Sequence, residues 1–224
     1  MNKLIMVAAM YFLATTQVSA SLIQVVDFTG NNQGIEDEFV FNQAGVELTV
    51  SAWMTNVNSE QDELMPWTAL NGFDGSQKIG VYKGSTGFGV VSNEDDGYDL
   101  DGGSSANFAD PDEGLLFSFS EQVNFLGFAA GELSSNDDLN LAIVNFDPMG
   151  QLVLTDVFID VASDDDEDIF AVFPGIVGQH FMVWVDGNDD DVRILDTAFT
   201  KVSEPATLLL FLISFAWLVR TRVN

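Results

Sequence analysis

Val46-Glu47-Leu48-Thr49-Val50-Ser51-Ala52-Trp53 alternates apolar and polar residues without a break. A period of two marks an extended strand with one covered face, so Val46, Leu48, Val50 and Ala52 belong to a core and Glu47, Thr49 and Ser51 to the opposite side. The same rhythm, less strictly kept, recurs on both sides of this stretch. It predicts further strands at 22–28, 38–42, 78–83, 87–91, 114–120, 123–129, 139–146, 151–161, 169–173, 179–185 and 192–199. Asp147-Pro148-Met149-Gly150 reads as a tight turn, with proline fixing φ and glycine supplying a positive one. Short strands parted by Gly, Asp, Asn and Pro, with no convincing helical amphipathicity between them, predict an all-β fold. The expectation is an antiparallel β-sandwich or jelly-roll-like domain.

The two ends of the chain differ from this body. Lys3, the apolar residues Leu4 to Leu13 and the small residues Val18-Ser19-Ala20 follow the order of a secretory signal peptide, which sets residues 1–20 apart. The acidic β-domain then spans 21–202. From Ser203 the composition changes again, to Ser203-Glu204-Pro205-Ala206-Thr207, an apolar run from Leu208 to Val219, and Arg220 and Arg222. The run is a marginal membrane span, near the lower limit of the ~17–20 residues a helix needs to cross a bilayer. Arginines on its C-terminal side keep that end cytoplasmic and place the upstream domain on the other side of the membrane.

Charge narrows the function. The whole chain carries −28, from 35 acidic and seven basic residues. Within 21–202 the only basic residues are Lys78, Lys83, Arg193 and Lys201, against 34 acids, so the domain sits at about −30. Phosphate recognition needs clustered Lys and Arg, which excludes nucleic acid and disfavours anionic lipid headgroups. Cysteine is absent, which excludes disulfides and thiolate metal sites. Nineteen Phe and a 47% apolar composition separate this chain from disordered acidic polymers.

The tail closely resembles the PEP-CTERM sorting signal of Gram-negative bacteria. Val202-Ser203-Glu204-Pro205-Ala206-Thr207 follows the family's Val-Pro-Glu-Pro-Ala-Thr, departing at Ser203, and the apolar helix and the arginines come in the family's order. A second resemblance lies in the body. Gly87-Phe88-Gly89-Val90-Val91-Ser92, an acidic segment, and Glu113-Gly114-Leu115-Leu116-Phe117-Ser118-Phe119 look like the "GLGV" strand and "E-x-L-x-F-x-F" strand of PEP-CTERM surface proteins. The resemblance implies processing near Ser203, Glu204, Pro205 and Ala206 by an integral-membrane exosortase, after export through the secretory translocon and cleavage by signal peptidase. It also implies transient anchoring in the inner membrane through the C-terminal hydrophobic helix. A final location at the cell surface or outside the cell, in a biofilm or exopolysaccharide setting, follows from the same resemblance.

Three acidic loops, 94–102, 164–168 and 186–191, offer closely spaced carboxylates of the kind Ca2+ takes, since that ion needs six to eight oxygen ligands. The third places Asp186, Asn188 and Asp190 like the start of an EF-hand, but Asp191 and Thr197 stand where that motif needs glycine and glutamate. The first is the favoured candidate, with Asp95, Asp96, Asp99 and Asp101 as ligands. No other cofactor is implied.

Catalysis has little to rest on. His180 is the chain's single histidine and lies in an alternating stretch, and no Gly-x-Ser-x-Gly elbow is present. Among the aromatics that suit sugar stacking, Trp53 and Trp184 belong to strong strands and read as core. Trp67, after Pro66, and Tyr98, in the acidic loop, read as the exposed pair, with Tyr82 a further candidate. The expectation is a non-enzymatic surface or matrix protein. The alternatives are a calcium-dependent carbohydrate-binding module and a polysaccharide hydrolase.

Overall fold

The alternation at 46–53 is realised as a nine-residue strand, Val46–Met54, in which Val46, Leu48, Val50 and Ala52 are buried while Glu47 is exposed. The structure, a computed structural model, describes residues 22–55, 67–93, 98–101, 112–131, 133, 138–163, 170–185 and 191–202. Residues Ile23–Lys201 form one compact unit. The expected signal peptide, the sorting motif and the apolar tail lie outside the described residues. Among the described residues no helix is long and apolar enough to cross a membrane.

Among the described residues fourteen strands follow in chain order. They are β1 (Gln24–Asp27), β2 (Gly34–Glu36), β3 (Glu38–Gln43), β4 (Val46–Met54), β5 (Thr68–Ala69), β6 (Gly72–Asp74) and β7 (Gln77–Lys83), then β8 (Phe88–Val91), β9 (Leu100–Asp101), β10 (Glu113–Gly131), β11 (Asp138–Phe146), β12 (Leu152–Ser163), β13 (Phe170–Val185) and β14 (Asp191–Lys201). Every strand pairing between them is antiparallel. The all-β, antiparallel expectation therefore holds.

The 19-residue β10 organises the rest. Its first half, Glu113–Phe119, lies between β4 and β13, with Phe117 opposite Val50 on one side and Phe181 on the other. Its second half keeps β13 but exchanges β4 for β14, starting at Val123 opposite Lys201. Between Ser118 and Val123 the register with β13 shifts, because this stretch of β10 opposes only the step from His180 to Gly178. Bulges of this kind bend a strand and let it pass from one set of partners to another. The first half continues outward through β4 to β3, and on the other side through β13 and β11 to β12; the second half continues through β14 to β8, β7 and β2.

Phenylalanines join these two pairing sets. The Phe28 ring, next to β1, lies 4.5 Å from Phe88 of β8, 5.4 Å from Phe41 of β3 and 6.0 Å from Phe117 of β10. A second group, Phe119, Phe125, Phe181 and Phe199, packs around the bend with centroid distances of 4.5 to 6.0 Å. A separate cluster of Leu116, Ala142, Val144, Leu152, Met182, Trp184 and Trp67 covers the opposite face of β10, β11 and β13. Leu115, Leu116 and Phe117 are therefore all buried, and an unbroken apolar run replaces alternation where both faces are covered.

Two tight turns show how local chemistry fixes register. Asp147 accepts hydrogen bonds at Oδ1 from the N–H groups of Met149 and Gln151, both 2.8 Å, and Gly150 takes φ of 80°. This is the turn that Asp147-Pro148-Met149-Gly150 predicts. The β3–β4 hairpin closes through Ala44 and Gly45, at φ of 52° and 78°, with Gln43 opposite Val46. Two positive φ values are what a type I′ hairpin loop requires, and alanine is strained there. Replacing Ala44 by Gly should stabilise the fold by ~1 kcal/mol, net of the extra backbone entropy glycine loses. Thermal melting checks this: Ala44→Gly should melt higher than wild type, and an equal or lower midpoint would contradict the strain.

Candidate functional site

Four basic residues in a field of carboxylates are informative because each must be held by something. Lys78 pairs with Glu36 at 2.6 Å and Asp37 at 3.6 Å, and Lys201 with Glu121 at 2.6 Å. Both are surface pairs, screened by water, and contribute little. Lys83 is 4% exposed and donates from Nζ to the backbone oxygens of Phe28 at 2.7 Å, Thr29 at 3.4 Å and Asn31 at 3.4 Å. Burial pushes its pKa down, and the charge of Asp27 opposes that shift. Its role is to hold the 28–31 loop against β7, which seats Phe28 over Phe88.

Arg193 builds the more distinctive arrangement. Its Nε donates to Asp99 Oδ1 and its Nη1 to Thr86 Oγ1 at 2.6 Å, while its guanidinium carbon lies 5.7 Å from the Tyr82 ring centre. Tyr82 stacks in turn on Tyr98, with centroids 4.4 Å apart and planes 30° apart. The Asn32 amide donates to Tyr82 Oη at 3.0 Å. Five segments meet here: the loop before β2, the end of β7, the β7–β8 loop, the residues just before β9, and the start of β14. Asp99 lies 94 residues from Arg193 in sequence.

Glycines make the approach possible. A Cβ at Gly89 would lie 1.9 Å from the Tyr98 carbonyl oxygen, and Val90 N–H donates to the Asp99 carbonyl at 2.8 Å. Only a residue without a side chain lets the Tyr98-Asp99 backbone lie so close on β8. At Gly84 a Cβ would meet Tyr82 Cε1 at 2.8 Å and Arg193 Nη1 at 3.0 Å, so the same economy leaves room for the stack.

The sequence-derived candidates fare unequally. Tyr98 is exposed, at 45%, as expected. Trp67 is not: it is 4% exposed and meets Trp184 edge-on at 6.0 Å. The reason is β5, whose residues Thr68 and Ala69 pair with Met54 and Trp53 and lay the chain on β4, turning Trp67 inward. Trp184 is core, and Trp53 is half-buried with its indole N–H donating to Ser51 Oγ at 3.0 Å. Of the calcium candidates, Asp95 and Asp96 lie outside the described residues, as do the carboxylate loops 164–168 and 186–190 and the motif residues Ser203, Glu204, Pro205, Ala206, Arg220 and Arg222. The Asp99 carboxylate is bound by Arg193, and Asp101 pairs through its backbone with Asp191. Asp99 therefore adds no unmatched negative charge to a cation site.

His180 shares a 3.0 Å hydrogen bond between its Nδ1 and Ser118 Oγ across the β10–β13 pair, and Phe146 meets its ring edge-on at 5.2 Å. Among the described residues no carboxylate is hydrogen-bonded to its other nitrogen. No protein-family model matches the chain, and no curated protein matches it in sequence.

Burial holds the His180 pKa below its ordinary value. The folded state thus favours the neutral ring, and the stability this gives is full above the unfolded pKa of ~6.5 and is lost as pH falls through the lower, folded value. The midpoint of thermal unfolding should drop from pH 7.5 to pH 5.5 more in wild type than in His180→Gln. Parallel pH profiles for the two proteins would show that His180 does not contribute.

Proposed function

We propose that the chain is an exported, non-enzymatic surface or extracellular-matrix protein, sorted by an exosortase-type enzyme and tied to an exopolysaccharide setting. The observation that carries this is the order Glu204-Pro205, apolar run, Arg220 and Arg222. The reading includes a signal peptide over 1–20 and a body folded as a jelly-roll-like sandwich. Support for the sandwich comes from β10, which passes between two pairing sets, and from the Phe28, Phe41, Phe88 and Phe117 contacts that join them. A non-enzymatic body agrees with a single histidine that sits in a sheet, bonded to a serine and packed against a phenylalanine.

A second reading, a carbohydrate-binding module, is favoured by one observation, the exposed tyrosine stack beside Arg193 and Asp99. In that reading the acidic loops are where calcium would bind, with Asp95, Asp96, Asp99 and Asp101 as the candidate ligands and Asp99 shared with Arg193.

Processing is tested by intact mass. In a host with an active exosortase, the mature protein should lack Leu208 to Asn224, and replacing Glu204 and Pro205 by alanine should leave the longer form. A membrane-embedded species that keeps Arg220 and Arg222 in that host would overturn the sorting assignment.

A further inference from the structure

We propose that Tyr98, backed by Tyr82 and Arg193, is a binding platform for a neutral pyranose with equatorial hydroxyls, presented by a polysaccharide. This deepens the carbohydrate-binding reading, on which it rests, and does not depend on the sorting assignment. Tyr82 has one ring face against Tyr98 and the Arg193 guanidinium as a further neighbour. Tyr98 has one face on Tyr82 and is still 45% exposed, so it presents ring surface to solvent.

The ring is held before any ligand arrives. The Asp99 carbonyl is bonded to Val90 N–H, the Tyr98 backbone rests on Gly89, and the two residues that follow pair with Asp191 and Val192. A preorganised aromatic loses little freedom on binding, which is how tyrosine gives contact area at low entropic cost.

The surroundings select among ligands. An equatorially substituted pyranose turns axial C–H bonds to its faces, which suit an aromatic ring, and hydroxyls to its rim. The residues that back Tyr98 bring polar groups for that rim: the Tyr82 hydroxyl with the Asn32 amide bonded to it, and the Thr86 hydroxyl and Asp99 carboxylate bonded to Arg193, while Tyr98 adds its own hydroxyl. Polyuronates and other anionic chains are opposed by the −28 of the protein, and Arg193 cannot draw them in because Asp99 already matches its charge. Cationic ligands are attracted by the net charge, but Arg193 already serves Tyr82 as its cation. Phe73 is more exposed, at 71%, yet among the described residues no ring stacks on it. It serves as the comparison site.

The test is calorimetric titration of the full chain in mild detergent. The probes are cellohexaose, laminarihexaose, xylohexaose, oligogalacturonate and tetramethylammonium. At least one neutral oligosaccharide should bind with Kd of about 1 mM, as expected for a single stacking platform. Tyr98→Ala and Tyr98→Leu should weaken it ~10-fold, whereas Tyr98→Phe should stay within about threefold and Phe73→Ala should have no effect. The leucine variant keeps bulk without a ring face, so its loss of binding at an unchanged melting temperature separates stacking from folding. Binding by none of the three neutral probes would overturn the proposal. So would preference for oligogalacturonate or tetramethylammonium, or binding that survives in both Tyr98→Leu and Tyr98→Ala.

Discussion

One strand has to keep a single partner along one edge while its partners on the other edge change. That is the constraint on β10, and the rest of the domain is arranged around it. Its first half holds β4 and its second holds β14, with β13 alongside both. The bend between Ser118 and Val123 turns the two pairing sets so that Phe28, Phe88, Phe41 and Phe117 can meet. Truncating one such ring to alanine in a close-packed core costs ~3–5 kcal/mol, a large share of the stability of an ordinary domain. The bulge is thus not a defect in the ladder but the condition for forming the core.

Charge sets the second layer of the design. With four bases among 34 acids in 21–202, self-repulsion works against compaction, and no base is left to roam. Lys83 holds a loop by its carbonyls, Lys201 ties the end of β14 to the bend of β10, and Arg193 brings Asp99 and Tyr82 to the start of β14. Asp27 and Asp196 face each other across β1 and β14, and burial raises the Asp196 pKa with Asp27 adding to the shift. The Thr29 hydroxyl and N–H, both bonded to Asp27, hold the Asp27 pKa down. Only one carboxylate of that pair is therefore well stabilised in its charged form.

Much of the strand pattern was legible because alternation survives wherever one face is covered and the other wet, as in β4. It failed at β10 and β13, each expected as two strands. Glu121 and Gln122, and likewise Pro174 and Gly175, look like turn residues locally, yet the flanking pairing keeps each chain in one strand across the irregularity. The short β2, β5, β6 and β9 are too brief to show any period. The burial of Trp67 is not legible locally, because the proline before it suggests a loop while the burial depends on β5 pairing with β4. Tyr98 was legible as an exposed aromatic in an acidic segment. Its partnership with Tyr82 and the Asp99–Arg193 pair was not, since nothing local marks residues 94 positions apart as neighbours.

The proposed Tyr98 platform lies where separate segments of the acidic body converge, next to the strand that β10 recruits at its bend. That dependence of the platform on β14, and of β14 on β10, makes cooperativity of β10 the point on which the account stands. Native-state hydrogen exchange measures it directly. Amides of Leu115 to Phe117 and of Phe125 to Ala129 should exchange together, at the slowest rates in the protein, through global unfolding. If the Phe125 to Ala129 amides exchanged well ahead of the others, together with β14, the two halves would be separate units and β10 would not organise the domain.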